Sequence, residues 1–220
     1  MKKLHEIPEL KGLRLVGGTA LALYLGHRRS IDLDFFGSIK MDGMSICNIL
    51  TNAGFDALSE RDTTNIHIFK VNNVKVDMVN YSFDWLEPSV EIDGIRMAGL
   101  KDIAAMKLEA ITNRGTRKDF VDLYFLLQHF TLNQMLNMYL EKYTRGSIFN
   151  VIRSLSYFVD AEEVPMPEML IPVKWENIKT TIRRAVERQV KKSRNSAKKV
   201  NDTPCEGDEP VKSQNHSLDN

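Results

Sequence analysis

Hydrophobic and polar positions alternate with a period of two at several places in the first hundred residues, and with a helical period after that. Leu13-Arg14-Leu15-Val16 reads as a strand that stops at Gly17-Gly18. Ala20 to Leu25 is rich in helix formers, with Thr19 placed to cap it and Gly26 to end it. Ile31 to Phe35 alternates again, which puts Asp32 and Asp34 on one face and Ile31, Leu33 and Phe35 on the core side. Met44 to Ala53 has helical spacing and closes at Gly54, and Phe55 to Ser59 follows as a short strand. Asn65 to Val71 and Val74 to Tyr81 flank Asn72-Asn73, a pair that tolerates the positive φ of a tight hairpin. A last small hairpin, Val90–Ile92 and Ile95–Met97, turns at Asp93-Gly94.

Beyond Gly99 only helical periodicity appears: Leu100–Arg114, Lys118–Phe130, Leu132–Tyr143, Ser147–Val159 and Trp175–Lys192. Pro165, Pro167 and Pro172 predict a rigid, non-helical connection before the last of these. From Ser193 large apolar residues almost vanish, as expected of a segment that cannot order itself. The reading is an α+β fold: a mixed sheet with flanking helices over 1–98, a helical lobe over 99–192 that completes a cleft, and a disordered tail over 193–220.

Composition changes this picture little. The net charge of +1 identifies no partner, although the stretch from Lys174 to Lys199 holds ten Lys or Arg against two Glu. That excess suits either a solubilising helix face or a track for a phosphate backbone. Cys47 and Cys205 offer no disulfide framework or zinc spacing, and no apolar run is long enough to span a membrane. The opening MKKLHEIPEL lacks the apolar stretch of a signal peptide, so a cytoplasmic setting is expected.

Three constellations carry chemistry. Gly17-Gly18-Thr19 closes a strand and opens a helix, leaving backbone N–H groups and a helix dipole free to meet phosphate, or serving as a plain turn. Asp32 and Asp34 suit a divalent cation with oxygen ligands, or are two solvated acids on an exposed strand. If the strand carrying Asp77 lies alongside, three carboxylates converge, enough for the two-metal arrangement of phosphoryl displacement, with Asp77 as third ligand and base. Lys107 and Arg114 share a helical face, as do Asp119 and Asp122. Spacing alone favours solvated charges there. The functional alternative has Lys107 gripping a triphosphate while Asp119 or Asp122 orients it or meets the nucleoside. His27, next to a helix-ending glycine, reads as a C-terminal cap.

Together, GGTALALYLGHRRSIDLDFF, VKVDMV and KLEAITNRGTRKDFVDLYFLL resemble the AbiEii/AbiGii-type nucleotidyltransferases. These are the toxins of type IV toxin–antitoxin and abortive-infection systems, within the DNA polymerase β-like nucleotidyltransferase superfamily. The resemblance spans residues 13–128, in three motifs kept in order. It implies catalytic Asp32, Asp34, Asp77 and Lys107, with the three aspartates as metal ligands. It implies nucleotide or phosphate binding by Gly17, Gly18, Thr19, Arg28, Ser30, Lys107, Arg114, Asp119 and Asp122. The cofactor implied is Mg²⁺, or Mn²⁺ in its place. The reaction implied is transfer of a nucleoside monophosphate from an NTP to RNA, with the tRNA 3′ end as acceptor, and a cognate antitoxin protein as partner. A small-molecule or protein acceptor, or a non-catalytic nucleotide- or partner-binding module, are the alternatives. Lys118 stands where the family more commonly has arginine.

Overall fold

Val76 and Met78 are buried while Lys75, between Val74 and Val76, is exposed, and this alternation orients the strand that bears Asp77. The computed structural model describes residues 1–201, with side chains through Arg194; 202–220, most of the expected tail, lie outside the described residues. In chain order the elements are α1 (Lys2–Glu6), a short 3₁₀ turn (Pro8–Leu10), β1 (Leu13–Val16), α2 (Gly17–Leu25), β2 (Leu33–Gly37) and α3 (Gly43–Asn52). Then come β3 (Ala57–Asp62), β4 (Ile66–Val71), β5 (Val74–Asn80), β6 (Val90–Ile92) and β7 (Ile95–Met97). The helices α4 (Leu100–Asn113), α5 (Arg117–Leu126), α6 (Leu132–Lys142), α7 (Ile148–Leu155), α8 (Val159–Glu162) and α9 (Trp175–Asn201) follow.

The strands form a seven-stranded mixed sheet in the order β3-β4-β5-β2-β1-β7-β6. The β4–β5 hairpin turns as expected, with Asn72 and Asn73 at φ of 47° and 65°. The pairings β2–β5 and β1–β7 are parallel, and the others are antiparallel. A single apolar cluster joins Leu15, Phe35 and Met78 of the sheet to Leu108 of α4, Leu123 of α5 and Ile178 and Ile182 of α9. Each such side chain contributes ~1.5–3 kcal/mol on leaving water, so the helices are held to the sheet by packing as well as by charge.

Some expectations are corrected. Val16, not Thr19, is the N-cap of α2, and it caps without a side-chain bond. The Thr19 hydroxyl lies 2.8 Å from Ser30 Oγ and donates to the Asp32 carbonyl. The second strand begins at Leu33, so Asp32 precedes it and Ile31 is 73% exposed rather than in the core. The next strand falls at Ala57–Asp62 instead of 55–59. The helix expected over 147–159 ends at Leu155, where Ser156 N and Tyr157 N donate to Arg153 and Ser154 carbonyls in a tight turn. The last helix runs on to Asn201. Along it Lys179 pairs with Glu162 and Glu176, at 2.6 and 2.7 Å. The proline-bearing connection is a strap that doubles back. Arg29 N donates to the Glu168 carbonyl (2.8 Å), and Leu170 N and Ile171 N donate to that of His27 (2.9 and 3.0 Å).

His5 is buried against the Phe35 ring, and its Nε2 has no hydrogen-bond partner among the described residues. Burial, then Arg96 and the N-terminus, push its pKa down from the ordinary 6.5 to about 4. The unfolded chain takes up a proton below pH 6.5 that the folded chain refuses until about 4, so stability falls through that window. Denaturant unfolding from pH 7 to pH 4 should show a loss on the order of 3 kcal/mol that is absent in His5→Phe. An identical pH slope in the two proteins would contradict it.

Candidate active site

Two strand acids are fixed by the sheet itself. Asp34 of β2 is the register partner of Asp77 on the adjacent parallel strand β5, so both carboxylates rise from one face of the sheet. Lys75 donates to both oxygens of Asp77, at 2.7 and 2.5 Å. The Asp34 carboxylate makes no hydrogen bond or ion pair among the described residues. Its pKa is raised, first by burial and then by the charge of Asp77. Asp32 lies just outside the strand and is exposed. Like charges repel without a counter-ion, and among the described residues no three His, Cys, Asp or Glu side chains form a ready set of metal ligands.

The turn beside them needs its glycines. Gly17 has φ of +68°, and a Cβ there would lie 2.3 Å from Asp34 Oδ2. A Cβ on Gly18 would lie 2.2 Å from Arg28 Nη2. The first glycine thus lets the backbone meet the Asp34 carboxylate, and the second lets it rest on the Arg28 guanidinium. Ser30 and Thr19 tie the far side of the same turn together.

Arg28 is itself buried, and it donates to Asp122 through Nε (2.7 Å) and Nη2 (2.9 Å). Asp122 has no exposed surface; it also meets His27 Nε2 at 2.8 Å and Lys107 Nζ at 2.8 Å. Lys107 donates in addition to Asp119 (3.0 Å), which accepts from Arg114 Nε (3.1 Å) and the Thr116 hydroxyl (2.6 Å). Burial works to raise both aspartates, but Lys107 together with Arg114 for Asp119, and with Arg28 and His27 for Asp122, holds them far below the ordinary range. Burial works to lower Lys107, and Asp122 and Asp119 overcome it, so the ammonium stays charged.

This network corrects three expectations. Lys107, Asp119 and Asp122 are not solvated charges, because each is buried. Asp122 is sealed and saturated, so it orients Arg28 and Lys107 and cannot itself meet a nucleoside. His27 is no helix cap: its side chain is buried on Asp122 and against the Phe125 ring. Arg114 is the cation of this group with an exposed side chain, at 56%.

A cleft of about 290 Å³ lies between the sheet and α4, bounded by Gly17, Asp34 and Phe36 on one wall, Lys107, Glu109 and Arg114 on the other, and Tyr143 at its end. Sequence reading missed Glu109, whose carboxylate accepts from Tyr139 (2.8 Å) and Asn113 (3.0 Å). It also missed Asp102, buried with Lys142 (2.7 Å), which accepts from Leu86 N and Glu87 N and pins the loop behind the cleft. Nothing in a one-dimensional pattern marks partners this far apart in the chain.

The donor set suits a hard divalent cation. A half-buried carboxylate without a side-chain hydrogen bond among the described residues faces a second one whose oxygens already hold an ammonium, and it lines the cleft together with Gly17, whose backbone packs close against it.

Removing the anion of Asp122 leaves Arg28 and Lys107 buried without a full counter-charge. Asp122→Asn should therefore cost ~3–5 kcal/mol in denaturant unfolding. A loss of less than ~1 kcal/mol, the scale of an exposed pair, would show that the network is not structural.

The chain matches the family described as "Nucleotidyl transferase AbiEii toxin, Type IV TA system" over residues 4–198. The Aquifex aeolicus protein aq_aa25 is 35% identical over 200 residues, covering 85% of this chain and 92% of that one. Among solved structures, JHP933 from Helicobacter pylori matches with a TM-score of 0.57 at 20% identity over 91% of each chain. MenT4, a nucleotidyltransferase toxin from Mycobacterium tuberculosis, matches with a TM-score of 0.53 at 16% identity, over 79% of this chain and 74% of its own. At those identities the structural likeness is one of fold, and the fold is that of nucleotidyltransferases. With the family match running through both the sheet and the helical lobe, the chain belongs to the AbiEii nucleotidyltransferase toxin family.

Proposed function

We propose that this protein is a divalent-metal-dependent nucleotidyltransferase that moves a nucleoside monophosphate from an NTP to RNA, with the tRNA 3′ end as acceptor. In this reading it acts in the cytoplasm as a toxin, and a cognate antitoxin protein restrains it. The observation that carries the reading is the facing pair Asp34–Asp77 beside Gly17, in a cleft whose other wall brings Lys107 and Arg114.

Asp32, Asp34 and Asp77 would hold the cation. When bound, Mg²⁺ or Mn²⁺ supplies charge for the phosphates and acidifies the attacking hydroxyl. The chain's own groups do the rest. The first N–H groups of α2, reached through Gly17 and Gly18, meet phosphate oxygens at the positive end of the helix. Arg114, exposed at the cleft, closes on the triphosphate, and Lys107 adds fixed positive charge from behind. The acceptor hydroxyl attacks the α-phosphorus and its proton passes to Asp77. The new O–P bond forms as the bond to pyrophosphate breaks.

Incubation with each labelled NTP, Mg²⁺ and total RNA should put label into a tRNA-sized band. Label on the protein alone, or none, would overturn the RNA assignment. Asp34→Asn should reduce transfer ~100-fold or more, beyond the effect of changing an outer-shell partner. Its melting temperature should stay level or rise, since burial already disfavours the Asp34 carboxylate. Retained activity would sink the metal assignment.

A further inference from the structure

The face that α4 turns to the cleft is graded in chemistry. At 100° per residue Lys107 and Arg114 fall on one edge, Ile103 and Met106 lie across the middle, and Asn113 and Glu109 occupy the other edge. The cationic edge is the one near the strand acids, because Lys107 and Arg114 both act on Asp34. The opposite edge runs into rings. Glu109 accepts from Tyr139, whose ring lies 5.2 Å from that of Tyr143. Tyr143 packs on Phe83 at 4.9 Å, and Phe83 is 46% exposed. Phe36 stands two residues beyond Asp34, hence on the same face of β2 and roughly 6.8 Å farther along it.

Glu109 is an unusual group for a cleft that must receive a polyanion. Among the described residues it has no ion-pair partner. Each of its oxygens has one donor, Tyr139 or Asn113, and a carboxylate oxygen can accept two. A charge of that sign repels phosphate and attracts N–H groups. The order cation, apolar strip, acceptor follows the order of groups along a nucleoside triphosphate: phosphates, the flat apolar body, and the polar edge of the base. Aromatic faces at the acceptor end suit a base of any kind. The carboxylate suits a base edge that donates.

We infer that the Glu109–Asn113 edge of α4, with the rings of Phe36 and Tyr143, is the seat of the nucleobase, and that Glu109 selects NTPs whose base carries an exocyclic amino group. Adenine, cytosine and guanine offer such a donor; uracil presents carbonyl oxygens in its place. The inference rests on the nucleotidyltransferase reading for the position of the triphosphate, and it adds which residues read the base.

The test is binding, so that it does not depend on transfer. ATP, CTP, GTP, UTP and inorganic triphosphate are titrated with Mg²⁺ into the full chain and into Glu109→Gln and Tyr143→Leu. Wild type should bind the amino-bearing NTPs about 10-fold or more tighter than UTP or triphosphate. Glu109→Gln, which keeps an acceptor for Tyr139 but turns an N–H toward the cleft, should weaken the amino-bearing NTPs roughly 10–100-fold, the worth of one hydrogen bond to a charged group. It should narrow or reverse the margin over UTP and leave triphosphate binding unchanged. Tyr143→Leu should weaken all four NTPs and again spare triphosphate, which shows that a variant is folded at the phosphate end. Equal binding of the four NTPs by wild type, or an unaltered preference in Glu109→Gln, overturns the inference. Weakened RNA binding with NTP binding intact also overturns it, since the acceptor would then occupy the seat. A protein that binds as inferred yet transfers nothing would sink the transfer reading alone.

Discussion

A carboxylate taken wholly out of water must be met by enough donors to replace its hydration, and Asp122 is the point where this constraint organises the molecule. Its two oxygens gather Arg28 from the turn after α2, His27 beside it, and Lys107 from α4, while Asp122 itself stands on α5. Three segments, the turn after α2 and the helices α4 and α5, are thereby locked at one spot. A lone buried ion pair is poor evidence of stability, because desolvation can cancel its attraction. Here the pair is extended by Asp119, Arg114 and Thr116, so each carboxylate has several donors and the balance favours order.

The consequences run outward from Arg28. Its guanidinium lies under Gly18, so the turn that faces the cleft rests on a part fixed by Asp122. Its backbone bridges to Met169, and the neighbouring residues bind Glu168, Leu170 and Ile171, so the proline strap is sewn to the same spot. A second peg of the same type stands behind the cleft, where Asp102 and Lys142 hold the loop at Leu86 and Glu87 and the Lys142 ammonium lies over the Tyr81 and Trp85 rings. The cleft is therefore rigid at both ends by charge, and its floor is held by packing.

What sequence reading could see was governed by range. The hairpin at Asn72-Asn73 and the side on which Asp77 emerges depend on neighbours, and period and turn chemistry report them well. That β2 pairs in parallel with β5, bringing Asp34 opposite Asp77, is open to the sequence only as a condition, because parallel pairing needs a crossover that local pattern does not encode. The expectation for Ile31 failed for a related reason: the alternating pattern starts ahead of the first register pair of β2, Leu33 with Val76, and Ile31, unpaired, is left in solvent. The charges of α4 and α5 were hardest. Helical spacing places Asp119 and Asp122 on one face but is silent on what covers that face, and in the fold Lys107 and Arg28 cover it.

Partner accounting then separates roles that motif matching runs together. The acids to which the resemblance gives a role are all Asp, and all carry the same charge in isolation. Asp119 and Asp122 have every oxygen engaged and lowered pKa values, the condition of groups that hold a structure. Asp34 is half-buried, faces another carboxylate, and its side chain makes no hydrogen bond or ion pair among the described residues. Within one small region several donors meet Asp122 and, among the described residues, no hydrogen-bond donor meets the Asp34 carboxylate, which is the contrast that the proposed metal role draws on. The saturated acids keep the turn and helix in place. The unsaturated one, with Asp77 opposite, is where the proposed reading puts the chemistry.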